Sequence, residues 1–157
     1  MRNIYFMKVC AVTGHRNISE NKIEFVRREL RREIELALSD GYITFMSGFA
    51  DGVDIEFVEI VVEIKQDNPD IIIEVALPYR DRLRTKNKLF HELLDNCDII
   101  TVTSEEYNKS CFHRRNKYII DNSERVITIY DERQKGGTFH AIKIAEKIKR
   151  EIKLIKI

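Results

Sequence analysis

The sequence predicts an α/β fold: a Rossmann-like three-layer sandwich with a mainly parallel five-stranded sheet and helices on both faces. Three observations predict it. Strand-length apolar runs alternate with helix-length amphipathic segments, the strand runs are apolar on both faces, and glycines stand at the ends of several of them. Alternating elements imply parallel crossovers, and a strand such as Ile71-Ile72-Ile73-Glu74-Val75-Ala76-Leu77 needs cover from both sides.

The elements follow in order. A strand is expected over 7–13, then a helix over 19–39 in which Ile23, Val26, Leu30, Ile34 and Leu38 recur three or four residues apart. Ser19 suits its N-cap and Gly41 the position just past its end. A strand over 42–46, a helix over 52–65 and a strand over 71–77 continue the rhythm. The second half adds a helix over 86–95, a strand over 98–102, a helix over 111–122 and a strand over 125–130. A last helix begins near 138. There Ala141, Ala145, Ile148, Ile152 and Ile155 keep a four-three-four-three spacing, so helix is expected almost to the C-terminus.

Composition narrows the class. A chain of 157 residues is the size of one domain, and residues 1–157 are read as one, with no linker, repeat or low-complexity segment. The hydrophobic share of 43% supports a core, while 34% charged residues balanced to a net +1 support a solvated surface without requiring nucleic acid or a membrane. The apolar stretch 4–12 is interrupted by Lys8 and too short to span a bilayer, so a cytoplasmic location is expected. Cys10, Cys97 and Cys111 form no CxxC pair and are read as free thiols. No histidine pair stands at metal-ligand spacing, so no metal is expected.

In open parallel sheets ligands collect beyond the carboxyl ends of the strands, which directs attention to the loops there. After the first strand come Gly14, His15 and Arg16; a guanidinium at that place can grip phosphate or carboxylate through paired hydrogen bonds. His15 is equally a packing or capping residue. After the second strand Ser47-Gly48-Phe49-Ala50-Asp51-Gly52-Val53-Asp54 leads into a helix. Its acids Asp51 and Asp54 cap N–H groups but repel phosphate, so they suit ribose hydroxyls, a water or plain capping. Gly136-Gly137-Thr138 opens the last helix beside Lys135 and is the better phosphate seat.

Two basic clusters, Arg80, Arg82, Arg84, Lys86 and Lys88, then Lys109, Arg114, Arg115 and Lys117, read either as solvated surface or as anion contacts. Cys111 opens the second cluster's helix without a histidine partner placed by the sequence. A P-loop, a GxGxxG after the first strand, a GxSxG elbow and an HExxH are all absent, which argues against a standard kinase, dinucleotide dehydrogenase, α/β-hydrolase or zincin.

With those loops placed, the chain resembles the SLOG superfamily, the Rossmann-like group that joins DNA-processing protein A with the LOG enzymes. Ser47-Gly48-x-Ala50-x-Gly52-Val53-Asp54 resembles the SGxAxG[IV]D signature, Thr13-Gly14-His15-Arg16 the element after the first strand, and Gly136-Gly137-Thr138 the late glycine loop. The YpsA-like branch is closer still. It pairs a TGHR start with an RNxYxxDxS helix, which here reads Arg115-Asn116-Lys117-Tyr118-Ile119-Ile120-Asp121-Asn122-Ser123.

The resemblance implies a pocket for a nucleotide or nucleotide-derived, ADP-ribose-like ligand. Its binding residues would be Gly14, His15, Arg16, Ser47, Gly48, Asp51, Gly52, Asp54, Arg115, Asn116, Gly136, Gly137 and Thr138, with no required cofactor. Sensing or regulation is the expected use. The LOG enzymes carry a glutamate three residues after the threonine of their glycine loop; here that position is Ala141, so their reaction loses its acid. Two alternatives stay open: a hydrolase of a nucleotide or N-glycosidic bond using Asp51, Asp54 or Glu105, and a single-stranded DNA binder using the basic clusters with Tyr79, Tyr107 or Phe112. A homo-oligomer is compatible with either.

Overall fold

A computed structural model describes residues 7–157; positions 4–6 of the first apolar stretch lie outside them. Six strands, β1 (Val9–Gly14), β2 (Thr44–Ser47), β3 (Ile72–Leu77), β4 (Ile99–Val102), β5 (Arg125–Tyr130) and β6 (Glu151–Lys156), form one sheet in the order β4-β3-β2-β1-β5-β6, every pair parallel. Five helices connect them: α1 (Glu20–Ser39), α2 (Val53–Lys65), α3 (Lys88–Leu94), α4 (Cys111–Asp121) and α5 (Gly137–Lys147). A 3-10 turn, Arg80–Arg84, precedes α3.

From β1 the chain winds outward to β4, then returns to the other side of β1 to make β5 and β6. The strand order therefore reverses between β1 and β5, where Gly14 faces Ile129. Connections to either side diverge at that point and leave a crevice above it.

Two faces are packed differently. Cys10 and Val12 of β1 join the larger core with Val26, Leu30 and Ile34 of α1 and Phe57 and Val61 of α2. Ala11, Met46 and Ala76 face the other way and meet Ile119 of α4. Leu30 and Ile34 are fully buried, each worth about 1.5–3 kcal/mol of transfer from water. On the α4 side the Glu74 carboxylate is satisfied by Tyr118 Oη at 2.7 Å and Thr101 Oγ1 at 3.0 Å.

The ends of α1 show how local sequence sets boundaries. Ser19 occupies the N-cap, though its hydroxyl makes no cap bond. At the other end Gly41 takes φ +94, the left-handed conformation that closes a helix, and Tyr42 N–H returns to Ala37 O at 3.0 Å.

The expected long last helix is corrected. α5 stops at Lys147, and Ile152 and Ile155 belong to the sixth strand, paired with Val126 and Ile129 of β5. Lys149 adopts φ +60, its N–H bonds Glu146 O at 3.1 Å, and Arg150 N–H bonds Ala145 O at 2.9 Å. This is the same closure as at Gly41, built on a lysine. The spacing of Ile152 and Ile155 fits a strand that serves both faces: Ile152 packs with the α5 cluster and Ile155 with the larger core.

Among the described residues no helix is long and apolar enough to cross a membrane. Cys10 and Cys111 are buried free thiols and Cys97 is a half-buried one.

Candidate functional site

A cavity of about 420 Å³ opens at the reversal point, within the size range of small-molecule sites. Its walls come from the loop after β1, the start of α2, one face of α4, and the loop from β5 into α5. Val12, Ile119, Ile120 and Ala141 supply apolar surface, Phe112 an aromatic face, and Arg16, Arg115, Arg133 and Lys135 positive charge. Asp54 is the one acid in the wall.

The glycines hold these walls together. A Cβ on Gly14 would lie 2.5 Å from the Val53 side chain, so the end of β1 and the start of α2 touch because position 14 has none. Gly52 sits at φ +84, beneath the loop after β1, where a Cβ would meet Arg16 O at 2.3 Å. Val53 N–H then bonds His15 O at 3.2 Å. The segment around Gly52 thus braces the backbone that presents Arg16.

Arg115 ties α4 to the same segment. It is only 5% exposed, donates Nη1–H to Gly48 O at 2.8 Å and donates Nε–H to Asn116 Oδ1 at 2.9 Å. Burial lowers its pKa, and the nearby Asp54 carboxylate offsets part of that. Asp54 accepts the Ala50 N–H at 3.1 Å, while its carbonyl accepts Ser47 Oγ–H at 3.1 Å. Burial raises the Asp54 carboxyl to about 6, with Arg115, the Ala50 N–H and Arg16 pulling the other way. Asp54 is therefore a carboxyl that changes charge close to neutrality.

The opposite wall is the beginning of α5. Gly136 provides no side-chain cap and no acid stands in the first turn, so the leading N–H groups face the cavity with the positive end of the helix dipole. The loop before it is held by His15, whose Nε2 lies 3.1 Å from Asp131 N and 3.0 Å from Asp131 Oδ1. A single ring nitrogen cannot serve both: without a proton it accepts the N–H; with one, as the neutral Nε2–H tautomer or the imidazolium, it donates to the carboxylate. Burial lowers the His15 pKa and favours the neutral ring. Asp131 is held well below the usual carboxylate range by hydrogen bonds from Arg133.

The expected site residues are distributed as follows. Gly14, His15, Arg16, Asp54, Arg115, Asn116, Gly136, Gly137 and Thr138 all line the cavity. Ser47 is fully buried behind it, its hydroxyl accepting the Phe49 N–H at 3.2 Å, and Gly52 lies under the loop after β1. Gly48 and Asp51 border a smaller depression alongside. Glu105 is on the surface, outside the cavity wall, in a two-point pair with Arg80 at 2.6 and 2.8 Å. Asn17 and Arg133 join the wall without having been expected there, and Ala50 of the SGxAxG motif and Phe112, expected as a base-stacking ring, line it as well. Arg16 lies 5.2 Å over the Phe112 ring, and Phe112 meets Tyr79 and Tyr107 edge-on. Among the described residues no group of three or more His, Cys, Asp or Glu could hold a metal ion.

A wholly parallel doubly wound sheet, with a cationic cavity of glycine loops at its reversal point, defines a Rossmann-like α/β protein. The chain belongs to the YspA SLOG family, whose YpsA model matches residues 10–157. Among curated relatives, the UPF0398 protein BH1768 of Halalkalibacterium halodurans is 23% identical over 154 residues, covering 90% of this chain and 82% of that protein. A UPF0398 protein of Bacillus thuringiensis is 28% identical over 155 residues, covering 90% and 84%. Of solved structures, DNA processing protein A from Helicobacter pylori, described for its single-stranded DNA binding mode, superposes with TM-score 0.67 at 21% identity. The match covers 92% of this chain but only 63% of that one. The molybdenum cofactor carrier protein of Chlamydomonas reinhardtii gives TM-score 0.58 at 16% identity, covering 94% and 75%. These likenesses establish the shared fold.

Proposed function

We propose that this protein binds a nucleotide or nucleotide derivative of the ADP-ribose type in the cavity at the strand reversal, and that it does so as a sensor or regulatory module. Phosphate sits against the N–H groups of Gly137 and Thr138, with Arg16 and Lys135 beside it, and ribose lies toward Ala50 and Asp54. One observation carries the reading: Arg16, Arg115 and Lys135, none with a carboxylate within 4.0 Å among the described residues, share a 420 Å³ cavity with an uncapped helix N-terminus, while the fourth cation of the wall, Arg133, is paired with Asp131. Phosphate is stabilised by both kinds of group. The single-stranded DNA binding named for DNA processing protein A and the cofactor carriage named for the Chlamydomonas protein agree with a fold used for holding ligands.

Calorimetric titration and thermal shift with adenosine monophosphate, adenosine diphosphate and ADP-ribose test it. A ligand at a hundred times its Kd should stabilise the fold by about 2.7 kcal/mol. Arg16→Ala should weaken binding about tenfold, the loss of one charge-assisted contact. If no nucleotide, sugar nucleotide or cyclic derivative shifts the protein, the reading fails.

A hydrolytic alternative is favoured by one group, Asp54, which is in the wall with a carboxyl raised to about 6. A general acid needs that range. Release of free base or ribose phosphate, lost in Asp54→Asn, would support it; intact nucleotide after prolonged incubation would end it. Nucleic-acid binding would instead draw on the Tyr79, Tyr107 and Phe112 cluster and show steep salt dependence.

A further inference from the structure

Beside the main cavity lies a smaller depression of about 100 Å³. The two share Arg16, Ala50, Phe112 and Arg115, so the Arg16 side chain stacked on Phe112 stands between them. The far side of the depression is closed by Tyr79 and Arg82, and the acid in its wall, Asp51, is exposed.

Arg16, Arg82 and Arg115 all line this small space, the Arg82 guanidinium lying 5.3 Å over the Phe90 ring. Among the described residues no carboxylate lies within 4.0 Å of Arg16, Arg82 or Arg115, whereas Arg27, Arg80, Arg125 and Arg133 all have such partners. Arg115 is 95% buried by its 5% exposure, and its Nε and Nη1 are engaged by Asn116 and Gly48. Its Nη2 has no hydrogen-bond acceptor among the described residues, and the side chain lines both the depression and the main cavity. Burial is the main influence lowering the Arg115 pKa; the Asp54 charge opposes it, and the charges of Arg16 and Arg82 add to it. Converging like charges destabilise the unliganded state, and a bound anion relieves that repulsion while accepting from all three forks.

We propose that this depression is a second anion seat, so that the ligand carries two separated phosphate groups: one at the start of α5, the other between Arg16, Arg82 and Arg115. The space is small for a base and ample for one tetrahedral anion. A ribose spanning the Arg16 and Phe112 partition would carry phosphate on either side. This rests on the nucleotide reading of the main cavity. A nucleoside bisphosphate and the backbone of a single strand of nucleic acid both present such a pair, and their shared chemistry is two phosphates across one sugar.

The test compares adenosine 5′-monophosphate, adenosine 3′,5′-bisphosphate and a short oligothymidylate by calorimetry, on the wild type, Arg82→Gln and Arg82→Lys. The bisphosphate should bind the wild type about tenfold more tightly than the monophosphate. Arg82→Gln should erase that advantage and leave monophosphate affinity unchanged; Arg82→Lys should keep most of it. Arg82-dependent binding of the oligothymidylate instead supports the seat and assigns its phosphates to a nucleic-acid backbone. The seat is overturned, with the main cavity's role intact, if monophosphate binds and the bisphosphate is no tighter, or if Arg82→Gln weakens both equally. No binding by any of the three while ADP-ribose binds overturns the seat alone; no binding by the three or by any other nucleotide, sugar nucleotide or cyclic derivative overturns both readings.

Discussion

Arg115 reaches across from α4 to donate a 2.8 Å hydrogen bond to the carbonyl of Gly48, and a Cβ at position 48 would lie 2.7 Å from its Nη1. A buried guanidinium and an absent side chain therefore fit as a pair. Gly48→Ala should displace Arg115 from the cavity wall, lowering stability by about 1–3 kcal/mol and weakening nucleotide binding together. Chemical denaturation and calorimetry measure the two. Unchanged affinity would show that Arg115 is not held in place by this contact.

Gly52 is a stricter case. Its φ of +84 and the 2.3 Å approach to the Arg16 carbonyl leave no flexible neighbour to move. Gly52→Ala should cost about 3 kcal/mol or more, read as a shift in denaturation midpoint without a change in slope. A shift under about 1 kcal/mol would contradict the packing described for α2 against the loop after β1.

Asp54 gives a pH prediction. Its carboxyl rises from an ordinary 3.8 to about 6 in the folded protein, so the folded state holds the proton more tightly than the unfolded state does. The stability this contributes is fully present below about 3.8 and is lost as pH rises through about 6. Asp54→Asn has no such loss. The variant should gain on the wild type by roughly 1–3 kcal/mol between about pH 4 and pH 7 in urea unfolding. His15, lowered by burial and opposite in sign, is common to both proteins and cancels. Parallel pH profiles would contradict the buried, proton-holding Asp54.

Lys149 occupies the left-handed position where α1 has Gly41, at φ +60 against +94. Lys149→Gly should raise the thermal midpoint, with a gain on the order of 0.5–1 kcal/mol from relieving a conformation disfavoured for a side chain. A destabilised variant would mean that the lysine side chain offsets its own strain.

That pair of helix ends also explains what the sequence made legible. Gly41 marks its helix end by residue type, and the strand runs and the periodicity of α1 identify the layers. Lys149 carries no such mark, and Ala145, Ile148, Ile152 and Ile155 continue a helical spacing straight through the turn, so the sixth strand was concealed. The site divides similarly. Strand-end placement brings Arg16 and the Gly136 loop to one cavity, and Arg115, on a helix, joins them through the family resemblance. It does not separate glycines that approach a ligand from glycines that let elements touch: Gly14, Gly48 and Gly52 all answer to a neighbour's atoms. Glu105 shares a strand-end loop with none of those constraints and pairs outward with Arg80. Asn17 and Arg133 stand in no quoted motif; only the fold turns them to the wall.

Ligand binding at the strand reversal can be followed through the backbone amide chemical shifts of isotope-labelled protein during titration with ADP-ribose. Saturable shifts are expected, concentrated at Gly137 and Thr138 and extending to Gly14, His15, Arg16 and Asn116. No shift up to millimolar ligand, or shifts confined to surfaces away from the reversal between β1 and β5, would contradict it.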